Sequence, residues 1–358
     1  MPKLLSPLLL FLVSISVEII SLILLRLIGI DWDYHIDAVT YVEKSQSVAS
    51  AIFNNGKIFG ALNNGYYLLV DLLGSNPGNI ITLNIILFGL TNILITKLMR
   101  PFRHENHAYF EYLVLFNPYR VYLATTLLKD TLLCFLLVTA YYFYHFKKNR
   151  EFNKVLSIKD RNLELIIRKF FIDKIIFISC SITLIFFAVR SIFYLTLFPN
   201  FLSKVNNLRS FFYFIVFILG INFLISNITG GNIINNFESA SNVNMDFRSY
   251  GAIPNFSSFG NLGILLKIVF WPLFYISGIF IFFSPSIELF FISIGISLVF
   301  LLQIREKITI PIGTVIGFVF FAGITNGFLS FARYSLPIWL ISVIIIYRRN
   351  KNFIDEQY

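Results

Sequence analysis

The chain is poor in charged residues, which make up 13% of its 358 residues, whereas 57% are hydrophobic. Soluble domains carry about 25% charged residues, so this composition excludes an ordinary soluble protein. Cysteine is also scarce: Cys134 and Cys180 both fall in apolar segments. Their number and spacing exclude a disulfide framework and a cysteine metal site, and we interpret both as packing residues.

The residues that are plentiful are apolar and occur in long runs. Phenylalanine occurs 42 times, and the mean hydropathy is +0.75. A helix needs about 20 apolar residues to cross a hydrocarbon core of about 30 Å, and uninterrupted apolar runs favour helices over a transmembrane barrel. We therefore predict an all-α polytopic membrane protein, a single transmembrane domain over 1–358. Its ten predicted crossings are 4–30, 79–98, 109–124, 127–146, 175–196, 211–226, 262–283, 287–303, 309–328 and 335–347.

The net charge of +10 lies largely beside these spans. Basic residues near 97–103 and the basic segment 147–174 predict two cytoplasmic loops under the positive-inside rule. This pattern indicates anchoring in a lipid bilayer rather than nucleic-acid binding. The external loop 31–78 then lies on the outer side. The polar segment 227–261 is a candidate mobile lid; strict alternation of spans puts it inside, whereas its scarcity of lysine favours the outside.

An acidic cluster follows the first span directly, in residues 31–41. Asp33, Asp37 and Tyr41 are spaced four apart, so they share one face if this stretch is helical. Two carboxylates on one face could share a divalent cation or divide into a base and a bystander. His35, between them, is a candidate for proton transfer or metal binding, or an ordinary solvent-facing histidine. The sequence leaves the metal unknown.

A second polar cluster begins at Asn117-Pro118, which should end or kink the preceding helix. The residues that follow are expected to form the outer turn of a helical hairpin. Arg120, Lys129 and Asp130 would then reach the same side of the membrane as Asp37. The alternative is that Lys129 and Asp130 only extend toward the interface.

Two arginines, Arg190 and Arg333, lie near the outer ends of predicted spans, and Arg248 lies in the polar segment. One guanidinium group can bind two phosphate oxygens at once, and it stays charged in a site that excludes water. An anionic substrate would explain them. The structural alternative for Arg190 and Arg333 is a charge pair with a carboxylate from another span, namely Glu18, Glu111 or Glu288.

Three short elements occur in order along the chain: Asp37-Ala38-Val39-Thr40-Tyr41, Leu-Leu-Lys-Asp-Thr-Leu-Leu at 127–133, and Ala-Arg-Tyr-x-x-Pro at 332–337. Together they resemble the GT-C superfamily of integral-membrane glycosyltransferases, most closely the bacterial surface-polysaccharide members that include Wzy-type O-antigen polymerases. The resemblance implies an outward-facing cavity, a polyprenyl-phosphate or polyprenyl-diphosphate sugar donor and an inverting transfer. It also assigns the family's external-loop acids to Asp37 and Asp130.

The chain departs from this superfamily in two respects. It lacks the Asp-Glu pair of the protein mannosyltransferase branch, and it has no large soluble domain like that of the oligosaccharyltransferases. A protein acceptor is therefore not implied. The expected partners are a polyprenyl-linked glycan, the lipid bilayer and other membrane proteins of polysaccharide assembly.

The charges and the resemblance together give an expected mechanism. Asp37 orients or deprotonates an acceptor hydroxyl, and cationic side chains stabilise the departing phosphate. The candidate catalytic residues are Asp37, Asp130 and Asp33. The candidate substrate-binding residues are Arg120, Lys129, Arg190, Arg333, Tyr334, His35, Tyr41 and Arg248.

The expected function is polymerisation of polyprenyl-diphosphate-linked repeats into a bacterial surface polysaccharide, at the outer face of the inner membrane. Two alternatives remain open at this point. One is a GT-C enzyme that adds a single sugar from a polyprenyl-phosphate donor. The other is a flippase or transporter of lipid-linked glycans, which predicts a charge-lined central path.

Overall fold

The computed structural model of the chain describes residues 6–34, 37–43, 45, 64–99, 108–155, 174–184, 187, 194, 261–277, 314, 317–319, 321–322, 325 and 328–355. These residues are helical or lie in turns, and no strand occurs among them, which confirms the all-α prediction. The helices are α1 (Pro7–Leu27), α2 (Asn64–Leu72), α3 (Pro77–Met99), α4 (Ala108–Leu115), α5 (Pro118–Ala124), α6 (Asp130–Val155), α7 (Lys174–Leu184), α8 (Asn261–Ser277) and α9 (Phe328–Asp355).

Helix α1 has a defined cap at each end. The Ser6 hydroxyl oxygen accepts the Leu9 N–H at 3.2 Å and satisfies one of the free donors of the first turn. At the other end Gly29 adopts φ +82°, and the Ile30 N–H donates to the Leu25 carbonyl at 2.9 Å. This is a Schellman motif, which needs a residue that tolerates positive φ. It ends the apolar helix and directs the chain into the acidic cluster.

Two described helices are long and apolar enough to cross a membrane: α1, of 21 residues, and α3, of 23 residues. Helix α1 exposes apolar side chains such as Leu8, Ile20 and Leu27, whereas more than half of the apolar window of α3 is buried inside the protein. The other apolar helical stretches within the described ranges are shorter. Ten crossings are therefore not confirmed. The predicted spans 211–226 and 287–303 lie outside the described residues.

The region predicted as one span over 109–124 is divided into two helices. Asn117-Pro118 separates α4 from α5, as the sequence predicts, and the Asn117 side chain accepts the N–H groups of Tyr119 and Arg120. Helices of 8 and 7 residues rise only about 12 and 10 Å. Neither crosses a membrane alone.

The predicted loops also contain helices. The basic segment 147–174 continues α6 as far as Val155, and its remainder up to 173 lies outside the described residues. The external loop 31–78 holds a 3₁₀ turn at Trp32–Tyr34, a helical stretch at 37–43 and α2. The polar segment 227–261 lies outside the description except for its last residue.

Helix α3 is central to the packing: it contacts α1 on one side and α6 on the other, and α6 in turn contacts α9. The close approach of α1 depends on Gly89, because a Cβ atom there would lie 2.7 Å from Cδ2 of Phe11. In lipid, where hydrophobic burial does not by itself hold helices together, small residues allow the close contact that stabilises a helix pair.

Gly89→Val should therefore destabilise the protein, by about 1–3 kcal/mol for a side chain forced into a packed contact. Thermal unfolding of the purified protein in detergent measures the effect. Leu90→Val is the matched control, because it places the same β-branched residue in the same helix at a position that is 37% exposed. Equal shifts in melting temperature would show that the α1–α3 contact does not depend on Gly89.

Candidate functional site

Arg333 joins two carboxylates that are far from it in sequence. Its Nη1 donates to Oδ2 of Asp37 at 2.8 Å, and its Nε donates to Oδ2 of Asp130 at 3.1 Å. Nη2 of Arg333 also lies 3.1 Å from the same Asp130 oxygen. The sequence separations are 296 and 203 residues. We refer to Asp37, Asp130 and Arg333 as the Arg333 cluster.

The members of the Arg333 cluster come from three helical segments. Asp37 lies in the helical stretch 37–43, and Asp130 is the first residue of α6. The partial positive charge of a helix N-terminus favours a carboxylate there. Arg333 follows the buried residues Phe331 and Ala332 in the second turn of α9. Helical segments from three separate parts of the chain thus supply the cluster.

The three side chains differ in their exposure. Asp37 is 50% exposed, Arg333 is 7% exposed and Asp130 is fully buried. A buried charge is costly unless it is paired and hydrogen-bonded, so Arg333 and Asp130 stabilise each other inside the protein. The accessible group of the Arg333 cluster is the carboxylate of Asp37.

Lys129 and Tyr41 lie in a buried layer beside the cluster. Lys129 is fully buried, and its Nζ lies 5.6 Å from the ring centre of Tyr41. Tyr41 follows Asp37 by one helical turn, so the predicted common face is present for this pair. The Tyr41 ring also packs edge-on against Tyr66 and Tyr67, at 4.9 and 5.6 Å between ring centres.

Tyr66 extends this layer toward Asp130. Its hydroxyl is buried and has no hydrogen-bond partner among the described residues. Burial raises the pKa of the Tyr66 phenol well above its ordinary value; the negative charge of Asp130 acts in the same direction and Arg333 opposes it. Tyr66 therefore stays neutral and keeps its O–H as a hydrogen-bond donor beside the cluster.

Asp33 does not join the cluster. It is exposed in the 3₁₀ turn Trp32–Tyr34, and no hydrogen bond or ion pair connects it to the cluster within the described residues. A 3₁₀ turn has three residues per turn rather than 3.6. The spacing of four that aligns Asp37 with Tyr41 therefore does not extend back to Asp33.

Arg120 lies elsewhere. Its Nη1 donates to the carbonyls of Val114 and Leu115 at 2.9 and 3.1 Å, at the end of α4, and its Nη2 donates to Oδ1 of Asn92 at 3.0 Å. Arginine commonly satisfies the last carbonyls of a helix in this way. The structure therefore gives Arg120 a structural position and does not bring it to Asp37.

Asn92 also connects Arg120 to α1, because its Nδ2 donates to Oγ of Ser14 at 3.1 Å. Glu18 lies one turn further along α1, fully buried and without a hydrogen-bond partner among the described residues. Its main charge interaction is with Arg120. The suggested pairing of Arg333 with Glu18 is not present, since Arg333 binds Asp37 and Asp130.

The remaining predicted residues divide into two groups. Tyr334 packs its ring against Phe321 at 5.9 Å, and its carbonyl accepts the Tyr194 hydroxyl at 3.1 Å, so it faces a different neighbour from Arg333. The others lie outside the described residues: His35, Arg190 and Arg248.

Asn84 is a residue of the site that sequence reasoning missed. It is buried in α3, and its Nδ2 donates to the carbonyls of Thr126 and Leu128, in the turn that precedes Asp130. The available signal was an amide side chain in the middle of an apolar helix. Such a side chain needs a partner at membrane depth, but the sequence does not reveal which one.

The sequence suggests a divalent cation for Asp33 and Asp37, and within the described residues no contact brings these two carboxylates together. The Arg333 guanidinium binds both Asp37 and Asp130 and takes the place that a cation would occupy. No group of three His, Cys, Asp or Glu side chains in the described ranges could hold a metal ion.

No protein-family model matches the sequence, and no curated protein or solved structure matches it. The contacts of the Arg333 cluster are therefore the basis for assigning a function. In chemical terms, they present one accessible carboxylate held by a buried guanidinium.

The exposure of Asp37 and Asp130 predicts which of the two substitutions destabilises the protein more. Asp130→Asn should cost about 3–5 kcal/mol of stability, the usual effect of breaking a buried ion pair. Asp37→Asn should cost clearly less, because solvent screens a half-exposed pair. Thermal unfolding in detergent compares them. A larger loss for Asp37→Asn would mean that burial does not determine the energetics of the cluster.

Proposed function

We propose that the chain is a membrane glycosyltransferase that joins polyprenyl-diphosphate-linked oligosaccharide repeats into a bacterial surface polysaccharide by inverting transfer. In this proposal it resides in the inner membrane as a protein of about ten crossings. Its active site lies at the outer face, and the Arg333 cluster is the catalytic centre.

One observation carries the proposal. The three elements on which the resemblance to GT-C glycosyltransferases rests each contribute one charged residue, Asp37, Asp130 and Arg333, to a single cluster. These residues are far apart in sequence and meet in the folded protein, which supports the proposal. The all-helical fold and the two helices long enough to cross a membrane are consistent with such an enzyme.

Asp37 acts on the acceptor. Its carboxylate is the accessible acid of the cluster, and the hydrogen bond from Nη1 of Arg333 holds it in place. The acceptor hydroxyl gives its proton to Asp37 as its oxygen forms the new bond to the anomeric carbon. The bond from that carbon to the phosphate oxygen breaks, and the electron pair leaves with the polyprenyl diphosphate.

Arg333 responds to this proton transfer. Once Asp37 is protonated, its attraction for Arg333 weakens at the moment when negative charge develops on the diphosphate. Nη1 of Arg333 is then released from Asp37 and can donate to the leaving group while Nε stays on Asp130. A guanidinium is suited to this role because it remains charged throughout and offers several donors. Asp130 is in this view the residue that keeps Arg333 in place.

Asp37→Asn tests this assignment. The change keeps the side-chain volume and removes the base, so transfer should fall by about 10²–10⁴-fold. The control is Asp33→Asn, which removes a neighbouring acid outside the cluster and should leave the rate near that of the native protein. Both variants replace the native gene in the host, and the surface polysaccharide is separated by length on a gel.

The gel of the inactive Asp37→Asn strain also distinguishes the alternatives. In that strain, a core that carries a single repeat without the ladder supports a polymerase. A full ladder with one sugar missing supports a single-sugar transferase with a polyprenyl-phosphate donor. Loss of all surface repeats, with lipid-linked repeats retained on the cytoplasmic side, would support a flippase. A normal ladder from well-expressed Asp37→Asn protein would remove Asp37 from catalysis.

Arg333→Lys tests the second role. A lysine carries one nitrogen on a flexible chain and cannot hold both Asp37 and Asp130 as the guanidinium does. The transfer rate should fall about tenfold or more, which corresponds to a loss of at least about 1.4 kcal/mol of transition-state stabilisation. The matched control is Arg26→Lys, because Arg26 pairs with Asp31 at 3.3 Å with both side chains about half exposed, and such pairs contribute little. Equal rates for the two variants would contradict the role of Arg333.

A further inference from the structure

Asn84 contacts the turn that precedes Asp130 of the Arg333 cluster. It lies in the apolar helix α3 and is 1% exposed. Its Nδ2 donates to the carbonyl of Thr126 at 2.9 Å and to that of Leu128 at 3.1 Å. One amide nitrogen thus uses its two hydrogens on two carbonyls of the same turn. This turn, residues 125–129, connects α5 to α6 and leads directly into Asp130.

The turn needs such a donor. Residues between two helices lack the regular pairing of a helix, and an unpaired buried carbonyl costs about 1–3 kcal/mol. The hydroxyls of Thr125 and Thr126 do not supply it, because they donate to the carbonyls of Tyr122 and Leu123 at the end of α5. The link of the turn to α3 comes from Asn84.

Two bonds from one planar amide fix the direction of the turn as well as its distance from α3. Lys129 and Asp130 follow the second carbonyl at once, so the position of the Asp130 carboxylate depends on this anchor. Asp130 in turn determines where Arg333 lies, and Arg333 holds Asp37.

We infer that Asn84 is a positioning residue for the Arg333 cluster: it fixes the turn 125–129 so that Asp130 meets Arg333. The inference that Asn84 positions the cluster does not depend on any activity of the protein. Its expected effect on catalysis rests on the proposed function. A displacement of about 1 Å at a catalytic group can reduce a rate about 10²-fold, so an anchor outside the reacting groups can matter for turnover.

The first test uses no substrate. The full-length protein is purified in detergent, and melting temperatures are measured for Asn84→Asp, Asp130→Asn and the double variant. Asn84→Asp keeps the shape but replaces the two N–H donors by a carboxyl group that has at most one donor. If Asn84 acts by holding Asp130, the shift of the double variant falls short of the sum of the single shifts.

A matched control is available on the same helix. Asn79 donates its Nδ2 to the Leu73 carbonyl at 2.9 Å, at an exposed position. Asn79→Asp combined with Asp130→Asn should give additive shifts. Additive shifts for Asn84 as well would overturn the inference. If Asn84→Asp fails to fold, Asn84→Ser, which keeps one hydroxyl donor, enters the same cycle.

The second test uses turnover per folded molecule. Asn84→Asp should lower kcat about tenfold or more with KM almost unchanged, because the displaced Asp130 misplaces Arg333, which contacts the leaving group only as negative charge develops in the transition state. Asn84→Gln, which keeps both donors on a longer chain, should recover part of kcat. An unchanged kcat in correctly folded Asn84→Asp protein would overturn the effect on catalysis.

The two tests separate the inference from the proposed function. If the native protein transfers no sugar, the proposed function fails, and the melting-temperature cycle still decides whether Asn84 positions Asp130. If the native protein is active and the cycle is additive, the inference fails alone.

Discussion

A guanidinium that is almost fully buried must find negative charge, and in this protein Arg333 finds two carboxylates, Asp37 and Asp130, on two other parts of the chain. Leaving the buried Arg333 or Asp130 unpaired costs several kcal/mol, and Asp37 is bonded to the same guanidinium, so the cluster constrains the start of α9, the start of α6 and the stretch 37–43 together. Tyr41, Tyr66 and Lys129 form the buried layer beside the cluster. The exposed carboxylate of Asp37 is the part left for chemistry.

A few polar and small residues support this arrangement from within apolar helices. Asn84 and Asn92 lie eight residues apart on α3, about 12 Å along its axis. The first holds the turn before Asp130, and the second holds Arg120 and α1. Gly89, between them, allows α1 to approach. Apolar side chains fit many neighbours, whereas an amide with two fixed partners defines one geometry. The specificity of the fold therefore resides largely in these positions.

Much of the local structure could be predicted from the sequence. The apolar runs predict α1 and α3 to within a few residues, because helix is the conformation that satisfies the backbone inside an apolar segment. Asn117-Pro118 predicts the break before α5, because proline cannot continue a helix and asparagine caps one. The acids at 37 and 130 stand out because charge is rare in this chain. These features depend on residues close together in sequence.

The partners of the charged residues could not be predicted in the same way. The sequence offered Arg190, Arg333, Arg120 and Lys129 as cations near Asp37, and packing distinguishes the three that are described: Arg120 binds the end of α4, Lys129 lies against Tyr41, and Arg333 forms ion pairs with Asp37 and Asp130. Asp33 is excluded by a 3₁₀ turn that changes the helical period.

The sequence by itself therefore determined that the chain is helical, apolar and marked by a few charges at helix ends, since composition and local spacing decide these properties. Tertiary structure decided which charges meet, which of them remains accessible and which amide holds the turn before Asp130. Those outcomes depend on contacts between segments up to 296 residues apart, whose distances no local pattern encodes.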